Sequence, residues 1–426
     1  MYKFQGLIGI VLILAIAYLF SNNKKRINYR LVFSGLALQL FIGILVLKIK
    51  AVTSFFQFLG KGMGKIEQFS REGAAFVYGG LGGVISEEKN KPIVITDFKN
   101  GGFVFAFNVT ATIILVCVIV ALLYHFRIMQ RIVAVIAKAM NFIMRVSGAE
   151  ALSNVASAFV GQVEAQVMIR PYLATMTKSE LLASMSGSLA CIAGGILIVY
   201  ANMGAHAGMD LAPKLITASL MAAPGALVIA KILFPETEES QTMGKVKLEV
   251  KSQYTNTIDA IAHGSSEGFK IAMNVIAMLI GFIALIALVN WSLIHIGHLF
   301  SSNLDLSLNY IFGKLFYPMA WAMGVPNVDV QNAATLLGQK LTINEFVAFN
   351  NLTTHAVNIV SEKGLFIVSI AICGFANFSS VGMLIGGIGE LAPTRRKDLA
   401  ELGLKALLAG TLASYLSASI AGILIG

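Results

Sequence analysis

Two stretches of this chain each set a glutamate in an apolar segment too short to cross a bilayer. The first runs from Ala151 to Val160, continues as Gly161-Gln162-Val163-Glu164-Ala165, and passes into Ile169-Arg170-Pro171. A full helical span needs about 20 apolar residues, and Gly161 and Pro171 interrupt this run well short of that. A carboxylate at membrane depth is costly unless it faces protein or a water-filled cavity. A short, broken segment with a polar tip therefore reads as a re-entrant hairpin. Such hairpins carry backbone dipoles and side chains to the bilayer midplane. The second stretch is Asn344-Glu345-Phe346-Val347-Ala348.

The surroundings of both are hydrocarbon. The 426 residues are 57% hydrophobic and only 13% charged, with a mean hydropathy of +0.77. Soluble domains carry about 25% charge, so the expected class is an all-α polytopic membrane protein. Net charge is +10, but the cations sit in short loops between spans. They set orientation and do not form a nucleic-acid surface. Cys117, Cys191 and Cys373 lie in apolar segments without a CxxC or Cys/His cluster, so neither a disulfide nor zinc is expected, and no cofactor. The N-terminal basic cluster follows its apolar run instead of preceding it, which argues against a cleaved signal.

Eight spans are expected: Phe4 to Phe20, Leu31 to Leu47, Gly102 to Tyr124, Ser179 to Met203, Leu211 to Leu233, Ile271 to Leu299, Leu365 to Glu390, and Leu399 to the end. The segment at Phe55-Phe56-x-Phe58-Leu59, beside Lys61 and Lys65, reads as an interfacial amphipathic helix. A second carries Arg127, Arg131, Lys138 and Arg145, and a third is expected between Pro235 and Gly268 after a cytoplasmic linker. A glycine-rich turn (Gly79 to Gly83) and a charged loop (Glu87 to Lys99) precede span 3. Lys and Arg crowd the loops after spans 1, 3, 5 and 7, so both termini are expected outside. Residues 50–101, with seven Lys/Arg, go against that rule.

A faint repeat joins hairpin, span, span (149–233) to hairpin, span, span (310–426). Cys191 follows Glu164 by 27 residues, and Cys373 follows Glu345 by 28. The hairpins enter from opposite sides, an inverted repeat that points to a site at the repeat interface. The expected organisation is residues 1–145 as scaffold spans 1–3 with interfacial helices, and 146–235 as a first transport repeat. Residues 236–309 are linker, interfacial helix and scaffold span 6, and 310–426 a second transport repeat.

At these residues the sequence resembles the concentrative nucleoside transporter family. The resemblance rests on Gly161-Gln162-x-Glu164-Ala165 with Arg170-Pro171, on Asn344-Glu345-Phe346-Val347-Ala348, and on Gly374-Phe375-Ala376-Asn377-Phe378-Ser379-Ser380. It implies eight transmembrane helices with two re-entrant hairpins and three interfacial helices, in a homotrimer in a bacterial cytoplasmic membrane. It also implies elevator-type alternating access, with the hairpins and spans 4, 5, 7 and 8 moving against spans 1, 2, 3 and 6. The expected function is ion-coupled nucleoside uptake, and the expected partners are a nucleoside and the lipid bilayer.

The resemblance places Gln162, Val163 and Glu164 against the nucleobase, with Ile196 and Phe375 as walls. An amide and a carboxylate can bond a base edge in both directions, although Glu164 could also be a structural carboxylate tied to a lysine or to backbone. Many relatives carry a hydroxyl or amide residue at Val163, so the choice between purine and pyrimidine stays open. The resemblance assigns ribose hydroxyls to Glu345, Asn377 and Ser380. A site built on such pairs rejects analogues lacking the hydroxyl; helix–helix glue is the alternative for Asn377 and Ser380, and ordinary packing for Phe375. The family's sodium site maps to Ser157, Val160, Cys191 and Ile192, where sodium-coupled relatives have Asn and a hydroxyl residue at the Ser157 and Cys191 positions. Sodium prefers oxygen, and a thiol is soft. Proton coupling is therefore expected over sodium, with Glu164 or Glu345 as carrier, since burial disfavours an ionised carboxylate. His355 could join a proton path but reads better as a capping residue, and His263, His295 and His298 as interfacial ones. Another small polar solute on the same scaffold is the alternative substrate. An enzyme is not expected, because no HExxH or Ser/His/Asp constellation is visible, and an open channel fits paired hairpins poorly.

Overall fold

The computed structural model describes residues 2–79, 105–243, 254–300 and 306–425. These are helices and connections, with one isolated β-bridge, Ser147 to Met243. Most of the glycine-rich turn, the charged loop, the first residues of span 3, and Lys245, Lys247 and Lys251 lie outside the described residues. Among the described residues, four helical stretches are long and apolar enough to cross a bilayer: Tyr29–Lys48, Lys178–Ala205, Ala212–Leu233 and Pro393–Ile425.

The chain opens with α1 (Tyr2–Leu19) and α2 (Tyr29–Lys48), the latter capped by the Asn28 side chain, which accepts from the Leu31 N–H. The interfacial segment is α3 (Lys50–Tyr78). Then come α4 (Phe105–His125) and α5 (Ile128–Met144), bent 75° from each other. Arg127 between them is left-handed (φ 58°), a conformation through which a right-handed helix does not continue. Helix α5 buries Met129, Val133, Ala137, Met140 and Met144, one stripe at helical spacing, and leaves Arg131 and Ile132 exposed.

Hairpin 1 descends as α6 (Gly148–Ser157) and returns as the single turns α7 (Glu164–Val167) and α8 (Arg170–Leu173). Its entry is a reciprocal cap, with Ser147 and Glu150 each accepting from the other's N–H. Thr177 and Glu180 repeat that cap at α9 (Lys178–Ala190). Then come α10 (Gly194–His206), α11 (Ala212–Leu233) and α12 (Thr257–Phe300). Helix α12 packs along α4 through Gly264 and Gly268, where a Cβ would lie 2.9 Å from the Cys117 carbonyl oxygen and 2.7 Å from the Ile114 Cα. This is the small-x-x-x-small packing of membrane helices. The chain continues as α13 (Leu308–Leu315), α14 (Tyr317–Ala322), α15 (Val330–Thr342), α16 (Glu345–Thr353), α17 (Glu362–Ile372), α18 (Phe378–Leu391) and α19 (Arg396–Ile425). The last helix packs against α1, α2, α9, α11, α17 and α18 and closes the core.

Three features differ from the sequence expectation. Spans 4 and 7 are broken, at 191–193 between α9 and α10 and at 373–377 between α17 and α18. Hairpin 2 is α15 and α16 only; α13 and α14 precede it and stop at left-handed Gly324 (φ 91°) and Pro326. Between Pro235 and Gly268 no separate interfacial helix forms among the described residues: α12 starts at Thr257 and runs without a break into span 6.

Candidate functional site

The two broken spans meet at their breaks. The Phe375 N–H donates to the Cys191 carbonyl at 3.2 Å, joining residues far apart in sequence. A Cβ on Gly374 would lie 2.8 Å from the Ala190 carbonyl carbon and 2.9 Å from Ser414 Oγ, so only glycine allows the approach. The breaks leave helix ends inside the protein, and such backbone must find protein partners. Hairpin 1 supplies another: the Gly194 N–H donates to the Phe159 carbonyl at 3.2 Å.

Hairpin 2 and α18 build one buried polar cluster. Asn344 caps α16, accepting from the Val347 N–H at 2.9 Å, and so sets Glu345 in the first turn. Asn377 caps α18 in the same way, its Oδ1 accepting from the Ser380 N–H at 2.8 Å. Its Nδ2 donates to Glu345 Oε2 at 2.9 Å, and the Tyr200 hydroxyl donates to Glu345 Oε1 at 3.2 Å. Tyr200 is itself stacked on Phe349, centroids 4.5 Å apart. Glu345, Asn377 and Ser380 are thus brought together, all buried. Phe375, half-buried, packs at the break.

Glu164 and Ile196 line a cavity of about 170 Å³. It lies between the hairpin 1 tip, the start of α10 and the helices α4 and α12. Tyr124, Gln130, Tyr254, His263 and Glu267 also reach its wall. Glu345, Phe375, Asn377, Ser380, Gln162 and Val163 do not belong to its lining. Val163 is turned toward α18, where a Cβ on Gly387 would meet its methyl groups. Gln162 is nearly buried; its carbonyl accepts from Ser188 Oγ at 3.0 Å, and its Oε1 has no hydrogen-bond partner among the described residues. The predicted residues therefore form two adjoining groups, with only Glu164, Ile196 and Val160 on the open cavity.

Ser157, Val160, Cys191 and Ile192 are all buried. The Ser157 hydroxyl donates to the Ser153 carbonyl at 2.8 Å and lies 3.0 Å from Ser188 Oγ. Ser188 accepts from Gln166 Nε2 at 2.8 Å, and Gln166 Oε1 accepts from Ser184 at 2.7 Å. His355 is left-handed (φ 57°) just past α16, its N–H donating back to the Leu352 carbonyl, which is the capping role.

Sequence reasoning missed Tyr200, Lys340, Gln166 and Ser188. Lys340 left a signal, a cation five residues before Glu345 in an otherwise uncharged segment. Tyr200 left none, since a tyrosine in a span is ordinary.

Residues 8–81 match the family described as Na+ dependent nucleoside transporter N-terminus, and residues 214–422 its C-terminus. Residues 106–207 match the family described as Nucleoside recognition. An uncharacterised transporter of Bacillus subtilis, YutK, is 41% identical over 99% of both chains. The nucleoside permease NupC of Helicobacter pylori is 38% identical, over 99% of this chain and 97% of its own. The structure of CNTnw in an inward-facing substrate-bound state matches with a TM-score of 0.89 at 40% identity, over 99% of this chain and 98% of the other. The broken spans, the paired hairpins and these likenesses agree: the chain is a multi-pass membrane protein, not an enzyme, and belongs to the concentrative nucleoside transporter family.

Proposed function

We propose that this protein takes up nucleosides by proton-coupled symport. Glu345, Asn377 and Ser380 hold the ribose, and Gln162 and Glu164 meet the base with Val163, Ile196 and Phe375 beside it. The Asn377–Glu345–Tyr200 cluster supports the ribose assignment, because a buried carboxylate with ordered donors still has lone pairs for a diol. The unpartnered Gln162 Oε1 supports the base assignment, since a buried acceptor without a donor awaits one. One observation carries the choice of proton. The Ser157 hydroxyl is engaged with Ser153 and Ser188, and Cys191, at the other expected side-chain ligand position, offers a sulfur that is a poor ligand for a hard ion. Sodium coupling is the second reading, favoured by the Na+ dependent description of the matching family. Transport by an elevator, with hairpins and spans 4, 5, 7 and 8 as the moving part of a homotrimer, both termini outside a bacterial inner membrane, completes the proposal.

The test is uptake of radiolabelled uridine and adenosine into proteoliposomes under an inward proton gradient, an inward sodium gradient, or none. Uptake driven by protons alone is the expected result. A requirement for sodium overturns the coupling assignment. No uptake of either nucleoside by folded protein moves the substrate to another small polar solute.

A further inference from the structure

Lys340 is fully buried, and its ammonium has no hydrogen-bond partner among the described residues. It sits on the last turns of α15, one strut of hairpin 2, while Glu345 opens α16, the other. Two residues separate the end of α15 from the start of α16, and the two struts pack against each other, so both charges sit at the same turn of the hairpin. A lysine is an expensive residue at this depth, and ordinary hairpin packing would be served by methionine or leucine. Glu345 is bonded by Tyr200 from α10 and Asn377 before α18, both neutral, and the thiols of Cys373 and Cys191 stand at the ends of α17 and α9. Beside these groups Lys340 brings the positive charge.

We infer that Lys340 is a built-in counter-charge that holds Glu345 ionised, so that the ribose acceptor stays an acceptor throughout the transport cycle. This rests on the reading of Glu345 as the ribose carboxylate. A protonated Glu345 would lose one acceptor oxygen and present a donor where the diol also donates. Lys340 acts through Glu345 without touching the nucleoside and is a positioning residue. The two glutamates then divide the work. Glu164 lines its cavity with a second carboxylate, Glu267, and no lysine or arginine belongs to that lining. Glu164 is left as the carboxylate that carries the coupling proton.

The discriminating measurement is the ratio of affinities for a nucleoside and its 3′-deoxy analogue, taken for uridine and adenosine with purified protein near pH 6 and pH 8. A hydroxyl donating to a charged acceptor is worth roughly ten- to hundredfold in affinity. Wild type should show that ratio at both pH values, and K340R should keep it. K340M should lose most of it near pH 6, approaching E345Q, and recover part of it near pH 8. Folded K340M with the wild-type ratio at both pH values overturns the inference. If K340M does not fold, K340M/E345Q decides: recovery of folded protein supports the counter-charge, and failure to recover overturns it. E345Q with an undiminished ratio sinks the ribose reading itself, whereas E345Q losing the ratio while K340M keeps it sinks only the role of Lys340.

Discussion

Replacing Lys231 with methionine should cost this protein about 3–5 kcal/mol of stability, the range for removing one partner of a buried ion pair. Lys231 lies on α11, and its ammonium is paired with Glu150 at the entry to hairpin 1; the two side chains are 7% and 2% exposed. It also pairs with Glu236 at 3.2 Å and donates to Ser179 Oγ at 2.9 Å. Methionine fills the space but leaves the Glu150 carboxylate buried, with the Ser147 N–H at 3.0 Å as its remaining donor. The charge, not the volume, is what becomes expensive. Adding Glu150→Gln removes that charge and keeps a side chain able to complete the cap. The double variant K231M/E150Q should therefore lose less than about 2 kcal/mol, because replacing both partners of a buried pair is often nearly neutral. Thermal unfolding in detergent, followed by circular dichroism, gives the order: wild type highest, the double variant next, K231M lowest. The reasoning fails if K231M melts within a degree of wild type, or if the double variant falls as far as K231M or further.

Three further outcomes follow from other contacts. Gly374→Ala puts a methyl group against the Ala190 carbonyl where two broken helices touch, and overpacking of this kind costs about 1–3 kcal/mol; transport should fall more than folded yield, measured by uptake per mole of monodisperse protein. Tyr200→Phe removes one donor to the Glu345 carboxylate, and a lost hydrogen bond to a charged group, about 1.5–3 kcal/mol, should raise the nucleoside KM at least about tenfold. An unchanged KM would remove Tyr200 from the site. Ser157→Asn with Cys191→Ser restores oxygen-donor groups at the expected ion position, so sodium should stimulate uptake by the double variant and not by wild type; equal response in both would overturn the hard-ligand argument.

Much of this architecture could be read from the chain because the bilayer punishes charge and loose backbone. Glu164 between Gly161 and Pro171 announced hairpin 1, and Asn344-Glu345 announced the turn of hairpin 2. The breaks at Cys191–Ala193 and Cys373–Asn377 were not legible. Apolar residues flank both, so a hydropathy window sees one continuous span. What stabilises them is a mutual bond from Phe375 to Cys191, a contact that no local pattern encodes. The polar composition of Pro235 to Gly268 suggested a linker followed by a helix lying in the interface. The glycines at 264 and 268 instead let its last part, from Thr257, seat on α4 and extend span 6. Of the site, Glu164, Glu345 and the Asn344 before it were readable as residues, but not the partition of the acids between an open cavity and a closed cluster. That partition depends on side-chain direction across elements more than 200 residues apart, such as Val163 turning to Gly387.

Helix α19, the last 30-residue helix, packs against α1, the first. During synthesis α1 enters the bilayer long before that neighbour exists. Gly9 illustrates the wait: a Cβ there would lie 2.9 Å from Ser419 Oγ, a surface made more than 400 residues later. Until the ribosome finishes, lipid must stand in for protein along that face. The nascent chain is therefore an assembly held open along that one face.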